Sequence, residues 1–158
     1  MAGSGAVGRS GELSTRVLVA GSARGQAVVL EQPLSLWGGL DPETGTITDR
    51  RHPQSGVGLA GRVLVMPFGR GSSSSSTVLA EAIRLGTAPA AIVLLEPDPI
   101  LALGAIVAKE LYGRALPIVV VPPDDYRRIH TSDTVTVDAR EGRADPLIWA
   151  VRPAGEAG

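Results

Sequence analysis

The chain contains no cysteine. That excludes a disulfide, a thiolate-bound zinc ion and an iron–sulfur cluster held by this chain alone. Two histidines, His52 and His130, are too few for a three-histidine metal site, so no metal site is expected. There is no asparagine and hence no N-glycosylation sequon. Lysine is nearly absent: Lys109 stands against 14 arginines. The charge is almost balanced, with a formal net charge of -1 and a pI near 6.1, so the strongly basic footprint of a nucleic-acid binder is missing. Long apolar runs are also missing. The longest, near Ala90–Leu95 and Ile118–Val121, are far too short to span a bilayer. Met1–Glu12 is rich in Gly, Ser and Ala and has no apolar segment of signal-peptide type. These absences lead us to expect a cytoplasmic protein with neither nucleic acid nor membrane as partner.

What remains suits one globular domain. The chain has 158 residues, 44% hydrophobic and 20% charged, and size scaling implies that about two-thirds of its unfolded surface is buried on folding. Residues 1–14 read as a flexible leader, 15–152 as the domain and 153–158 as a flexible tail. Thr15–Ala20 and Gln26–Glu31 are strand-like and flank the turn-rich Gly21–Gly25, which predicts a hairpin. Pro33–Trp37 suggests a further short strand. Asp41–Gly45 is a turn by composition. From residue 62 the rhythm changes. Arg62–Pro67, Ala90–Leu95 and Leu116–Val121 read as buried strands, and Thr77–Leu85 and Ile100–Leu111 as the helices between them. That alternation predicts βαβ units with parallel strands. A short helix over Asp124–His130 and strands over Thr134–Asp138 and Pro146–Val151 complete the pattern. The fold class expected is α/β, with antiparallel hairpins in the first half and βαβ units in the second.

The most unusual stretch runs from Gly69 through Arg70 and Gly71 to the serines beginning Ser72, Ser73 and Ser74. It lies between a predicted strand and a predicted helix. A serine at a helix start caps backbone N–H groups, and the first turn of a helix favours an anion. The glycines let backbone approach a ligand closely, and Arg70 adds positive charge. The segment suits a carboxylate, a phosphate or an oxyanion; a serine-rich cap without a ligand is the competing reading. It is not a P-loop, which ends in Gly-Lys-Ser/Thr, and it lacks the Gly-x-Ser-x-Gly elbow. Gly3–Gly8 and Gly56–Gly61 match Gly-x-Gly-x-x-Gly by letters, but neither joins a strand to a helix as dinucleotide binding requires. Trp37, Gly38 and Gly39, ahead of Asp41, have the makings of a cavity wall; a core Trp over a tight turn is the alternative. His52, between Arg51 and Pro53, is either an acid/base or anion ligand, or a loop histidine bonded to backbone.

Taken in order, Gly38-Gly39-Leu40-Asp41-Pro42, Thr44-Gly45, His52-Pro53, Gly69-Arg70-Gly71-Ser72-Ser73-Ser74, Ala88-Pro89-Ala90-Ala91-Ile92 and Gly104-Ala105-Ile106 resemble the swivel domain of aconitase X proteins. The resemblance covers about Leu18 to Val121. It implies a swivelling β/β/α domain, the small subunit of a hydro-lyase. Its partner would be a cysteine-containing large subunit carrying an iron–sulfur cluster, and this chain alone would bind no cofactor. Activities of the family are dehydration of mevalonate 5-phosphate in archaea and of cis-3-hydroxy-L-proline in bacteria, so the expected ligand is a small anionic substrate. The neutral composition leans toward the amino acid. The wider superfamily carries Gly-x-Gly-Ser-Ser-Arg, whose first serine is the base and whose arginine binds substrate carboxylate. The resemblance makes Ser72 the base, with Gly69, Arg70, Gly71, Ser73, Ser74, Trp37, Gly38, Gly39, Asp41 and His52 around the substrate. The sixth motif position departs from the pattern, being Ser74 rather than arginine. A non-catalytic anion-binding or scaffolding module of the same fold is the alternative function.

Overall fold

A computed structural model describes residues 12–154. The short apolar runs V-L-V-M and A-I-V-L become β6 (Val63–Met66) and β7 (Ala91–Leu94), buried on both faces, as strands sandwiched between two layers must be. Beside them lies β8 (Ile118–Val120), and β3 (Gly21–Val29) runs parallel to β6 through Ala27–Val29. Helix α1 (Ser75–Leu85) links β6 to β7, and α2 (Pro99–Tyr112) links β7 to β8. α2 begins with Asp98 as N-cap and Pro99 in its first turn, the expected pairing for a helix start.

Alternate residues of the central strands feed two cores. Leu64, Met66, Ile92 and Leu94 pack with Leu79, Ile83, Leu101 and Ala105 of the helices. Val63, Val65, Val93 and Val119 pack the other way, with Val135, Val137 and Ile148. The latter belong to β9 (Thr134–Ala139) and β10 (Leu147–Val151), an antiparallel pair. The layers therefore run β/β/α, as expected. β3 joins the two sheet layers: Gly21–Gln26 pair with β9, and Ala27–Val29 with β6. With β1 (Glu12–Leu13) and β2 (Arg16–Val19) at its edges, the sheet is eight-stranded among the described residues, in the order β1-β10-β9-β3-β6-β7-β8-β2. β4 (Leu40–Asp41) and β5 (Thr46–Ile47) form a separate hairpin.

Several local expectations change. The segment Gly21–Gly25 is strand rather than turn. β2 (Arg16–Val19) pairs with β8 at the far edge, so it forms no hairpin with β3. Pairing with β9 overrides the turn-like composition, and Gly25 is needed because a Cβ there would sit 2.7 Å from the Gly61 carbonyl oxygen. Pro33–Trp37 makes no strand; only Leu34 bridges, to Gly69. The helix expected over Asp124–His130 is α3 (Pro123–Tyr126), followed by a turn in which Ser132 has φ 76°. Most of the expected leader lies outside the described residues, but Glu12–Leu13 form β1 against β10, with Leu13 buried. Of the expected tail, only Pro153 and Ala154 are described. No helix among the described residues is long and apolar enough to cross a membrane.

Candidate functional site

The loops that follow β3, β6 and β7 meet at the carboxyl ends of the parallel strands, where open α/β sheets hold their ligands. Backbone contacts lock the first two together. Leu34 bridges Gly69, and the Arg70 N–H donates to the Leu34 carbonyl at 3.2 Å. Gly71 has φ 93°, and a Cβ there would collide with the Ser35 hydroxyl, so backbone of one loop rests directly on side chain of the other. Asp98, the N-cap of α2, accepts from Ile100 N–H at 2.9 Å and Leu101 N–H at 3.1 Å. Its second oxygen lies where a Cβ of Gly69 would be.

The serine run does not cap α1 in the expected way. Ser74 is the N-cap but makes no side-chain cap bond. The N–H groups of Ser75, Ser76 and Thr77 donate to the carbonyls of Ser72, Ser73 and Ser74 at 3.0, 3.1 and 3.1 Å. A tight turn thus consumes the donors that the helix start was expected to offer an anion. The backbone N–H groups of Gly71, Ser72 and Ser73, one step earlier, have no protein acceptor among the described residues. Ser72 is exposed, and its Oγ accepts from the Ser74 N–H at 3.0 Å. That fixed donor favours negative charge on the oxygen. Ser73 is exposed and half-buried Ser74 is committed to the helix start. Ser75 is buried, and its Oγ accepts the Trp37 N–H at 3.2 Å.

A cleft of about 330 Å³ opens beside this loop, with Arg70 and Gly71 on one wall and Ser35, Asp49, Arg51 and His52 on the others. A narrow slot continues from Arg70 and Gly71 past Ser72 to Asp98. His52 is part of the wall but not a free acid, base or ligand. The ring is only 6% exposed. Its Nδ1 accepts the Gln54 N–H at 3.0 Å, and Nε2–H donates to the Gln32 carbonyl at 3.0 Å. The second reading of this histidine, bonded to backbone, is the one the structure carries. His52 clamps the 49–55 turn against the loop after β3.

The other expected residues divide. Trp37 stands at the start of α1, but its ring is 60% exposed and neither walls the cleft nor joins the core. Gly38 turns the chain at φ 77° into open space. Gly39 packs on Leu34 and lies beside Asp49, so it backs the cleft without lining it. Asp41 caps its own hairpin turn, accepting from Glu43 N–H at 2.9 Å, and is not in the cleft. Ser35, Asp49, Arg51 and Asp98 were not singled out from the sequence. Arg51 and Asp49 flank His52 closely enough that the His-Pro signal pointed at their turn; Ser35 and Asp98 gave no signal. No group of three or more His, Asp or Glu side chains is placed to hold a metal ion among the described residues.

A family model described as the aconitase X swivel domain matches residues 12–145. A cis-3-hydroxy-L-proline dehydratase of Pseudomonas aeruginosa is 59% identical over 103 residues, covering 65% of this chain and 18% of that protein. The chain thus spans less than a fifth of that relative's length. A phosphomevalonate dehydratase small subunit of Methanothermobacter thermautotrophicus is 41% identical over 133 residues, covering 84% of this chain and 97% of that one. Among solved structures, Thermococcus kodakaraensis aconitase X in its holo form superposes with a TM-score of 0.77 at 34% identity, covering 89% of this chain and 98% of that chain.

Proposed function

Since the chain belongs to the aconitase X swivel-domain family, we propose that it is the small, swivelling subunit of a cytoplasmic dehydratase that removes water from a small hydroxy acid together with a larger partner chain. The observation that carries the reading is the exposed Ser72 hydroxyl held by the Ser74 N–H, on a loop that opens into a cleft bearing Arg51 and Arg70. A serine is a poor base at neutral pH unless its oxygen is stabilised as an alkoxide. The Ser74 N–H, the unused N–H groups of Gly71 to Ser73 and the nearby guanidiniums supply such a field. Ser72 Oγ would take the proton on the carbon next to the substrate carboxylate. The electron pair of that C–H bond becomes a carbon–carbon double bond as the carbon–oxygen bond at the neighbouring carbon breaks, and the hydroxyl leaves as water after gaining a proton.

This chain cannot hold the cluster that its family uses, because it has no thiolate. We therefore assign the iron–sulfur cluster to the cysteine-containing partner, and the cleft, open on this chain, would be closed by that partner. Of the two substrates in the names of its relatives, cis-3-hydroxy-L-proline is supported by the higher identity. Mevalonate 5-phosphate is the rival.

The test is co-expression with the partner, anaerobic purification and assay of water loss from both compounds, with Ser72→Ala alongside. The expected result is turnover of cis-3-hydroxy-L-proline, lost by about a thousandfold or more in Ser72→Ala, and no turnover or bound iron in the isolated chain. A cluster-loaded complex whose activity survives Ser72→Ala would overturn the assignment of the base.

A further inference from the structure

The cleft carries both signs of charge in a fixed arrangement. Asp49 is half-buried against Gly39, and its Oδ1 accepts the Arg51 N–H at 2.9 Å. That bond occupies one oxygen and leaves the other without a protein donor among the described residues. Arg51 and Arg70 line the same space. Neither forms an ion pair with Asp49 or with any other carboxylate among the described residues, a state they share with Arg16, Arg24, Arg50, Arg62 and Arg114. The walls are set by backbone: the His52 clamp holds the Asp49–Arg51 turn, and the Leu34–Gly69 bridge holds Arg70 opposite. Residues of opposite charge therefore line one cavity with no ion pair between them.

We propose that this cleft reads a zwitterion: Arg51 and Arg70 take the carboxylate of a small amino acid, and Asp49 takes its ammonium group. The proposal deepens the dehydratase reading and rests on it for the reaction, though not for the binding. A zwitterion offers a partner to each sign of charge in the cleft. A phosphate monoester brings about two negative charges at neutral pH besides its carboxylate. It would press that excess against Asp49 and give the carboxylate no partner. Asp49 is thus a specificity residue that selects an amine-bearing substrate and rejects a phosphorylated one. Arg51 fills the role left open at Ser74, which is committed to the start of α1.

Asp49, Arg51 and Arg70 all belong to this chain, so binding is measurable on the full chain by amide NMR, with L-proline and cyclopentanecarboxylate as probes. The two differ in the amine and share the ring and carboxylate. L-proline is expected to shift the amides of Asp49 to His52 and of Arg70 and Gly71, half-saturating at a concentration at least about tenfold below that of cyclopentanecarboxylate. Asp49→Asn keeps a carbonyl for the Arg51 N–H, so the turn is retained, and should erase the preference. Arg51→Gln should weaken both probes alike. In the complex, Asp49→Asn should raise KM for cis-3-hydroxy-L-proline by about tenfold or more with a smaller change in kcat. Equal affinity for the two probes, shifts elsewhere on the chain, no binding of either, or a preference that survives Asp49→Asn would each overturn the proposal. A complex inactive on cis-3-hydroxy-L-proline whose small subunit still prefers L-proline through Asp49 would sink the dehydratase reading and leave the zwitterion cleft standing.

Discussion

Replacing His52 with alanine separates a structural clamp from a proton carrier. The ring is 6% exposed and bonds the Gln54 N–H and the Gln32 carbonyl, each at 3.0 Å. Removing it strands both backbone groups. Gln32 is exposed and Gln54 half-buried, so water reaches them, and the cost lies at the lower end for an unmade bond, about 1 kcal/mol each. Lost packing of the buried ring adds about 1–2 kcal/mol. The expected destabilisation is therefore about 3 kcal/mol, a large share of the roughly 5–15 kcal/mol that holds a domain together. With a urea slope of about 2 kcal/mol/M, the midpoint should fall by about 1.5 M. Tryptophan fluorescence during urea unfolding of the isolated chain reads this directly. Ser72→Ala is the comparison: an exposed hydroxyl with one local bond, expected to cost less than about 1 kcal/mol. If His52→Ala unfolds at the wild-type midpoint while activity of the complex collapses, the clamp argument is refuted and His52 acts on the substrate.

Two further outcomes follow from the same geometry. Gly71→Ala places a side chain at φ 93° and drives its Cβ onto the Ser35 hydroxyl. It should cost about 1–3 kcal/mol in urea unfolding and cut kcat/KM of the complex; an alanine variant with native stability and kinetics would refute the tight contact between Gly71 and Ser35. Tyr126 packs against the core between the sheet layers, and burial pushes its hydroxyl up to about 12 from an ordinary 10.0. The neutral form is favoured in the fold, so its contribution is complete below about pH 10 and is lost as pH rises toward about 12. Unfolding free energy measured across that window should fall with pH more steeply in the wild type than in Tyr126→Phe; parallel curves would contradict the assignment.

The central layer was readable from the sequence because its strands are buried on both faces. Val63–Met66 and Ala91–Leu94 have no polar side to confuse the pattern, and helices with a period of their own separate them. The outer layer was harder because its pairing is long-range. Gly21–Gly25 has the composition of a turn, and only β9, more than a hundred residues later, makes it a strand. Composition sees neighbours in sequence, and β3 is defined by neighbours in space. β2 fails for the same reason, since its partner is β8 at the far edge.

The site divides along that line too. The Gly69–Ser74 loop stood out because a strand and a helix bracket it and its residue types are unusual, so both the place and Ser72 could be read from local signals. The cleft is different in kind. Its charge pattern comes from Asp49 and Arg51 on one loop and Arg70 on another, brought together by the His52 clamp on the loop after β3 and the contacts of Leu34 with Gly69 and Arg70. No spacing rule links position 49 to position 70. His52 drew attention in this region, yet it is the residue there least free to act, because both ring nitrogens are spent on backbone. Its neighbours at 49 and 51 hold the unspent charge that a ligand would need. A histidine whose bonds are satisfied, flanked by charged residues whose bonds are not, marks a scaffold within the turn rather than its chemistry. The specificity of this domain should therefore track changes at Asp49 and Arg51 while tolerating any residue at 52 that preserves the turn.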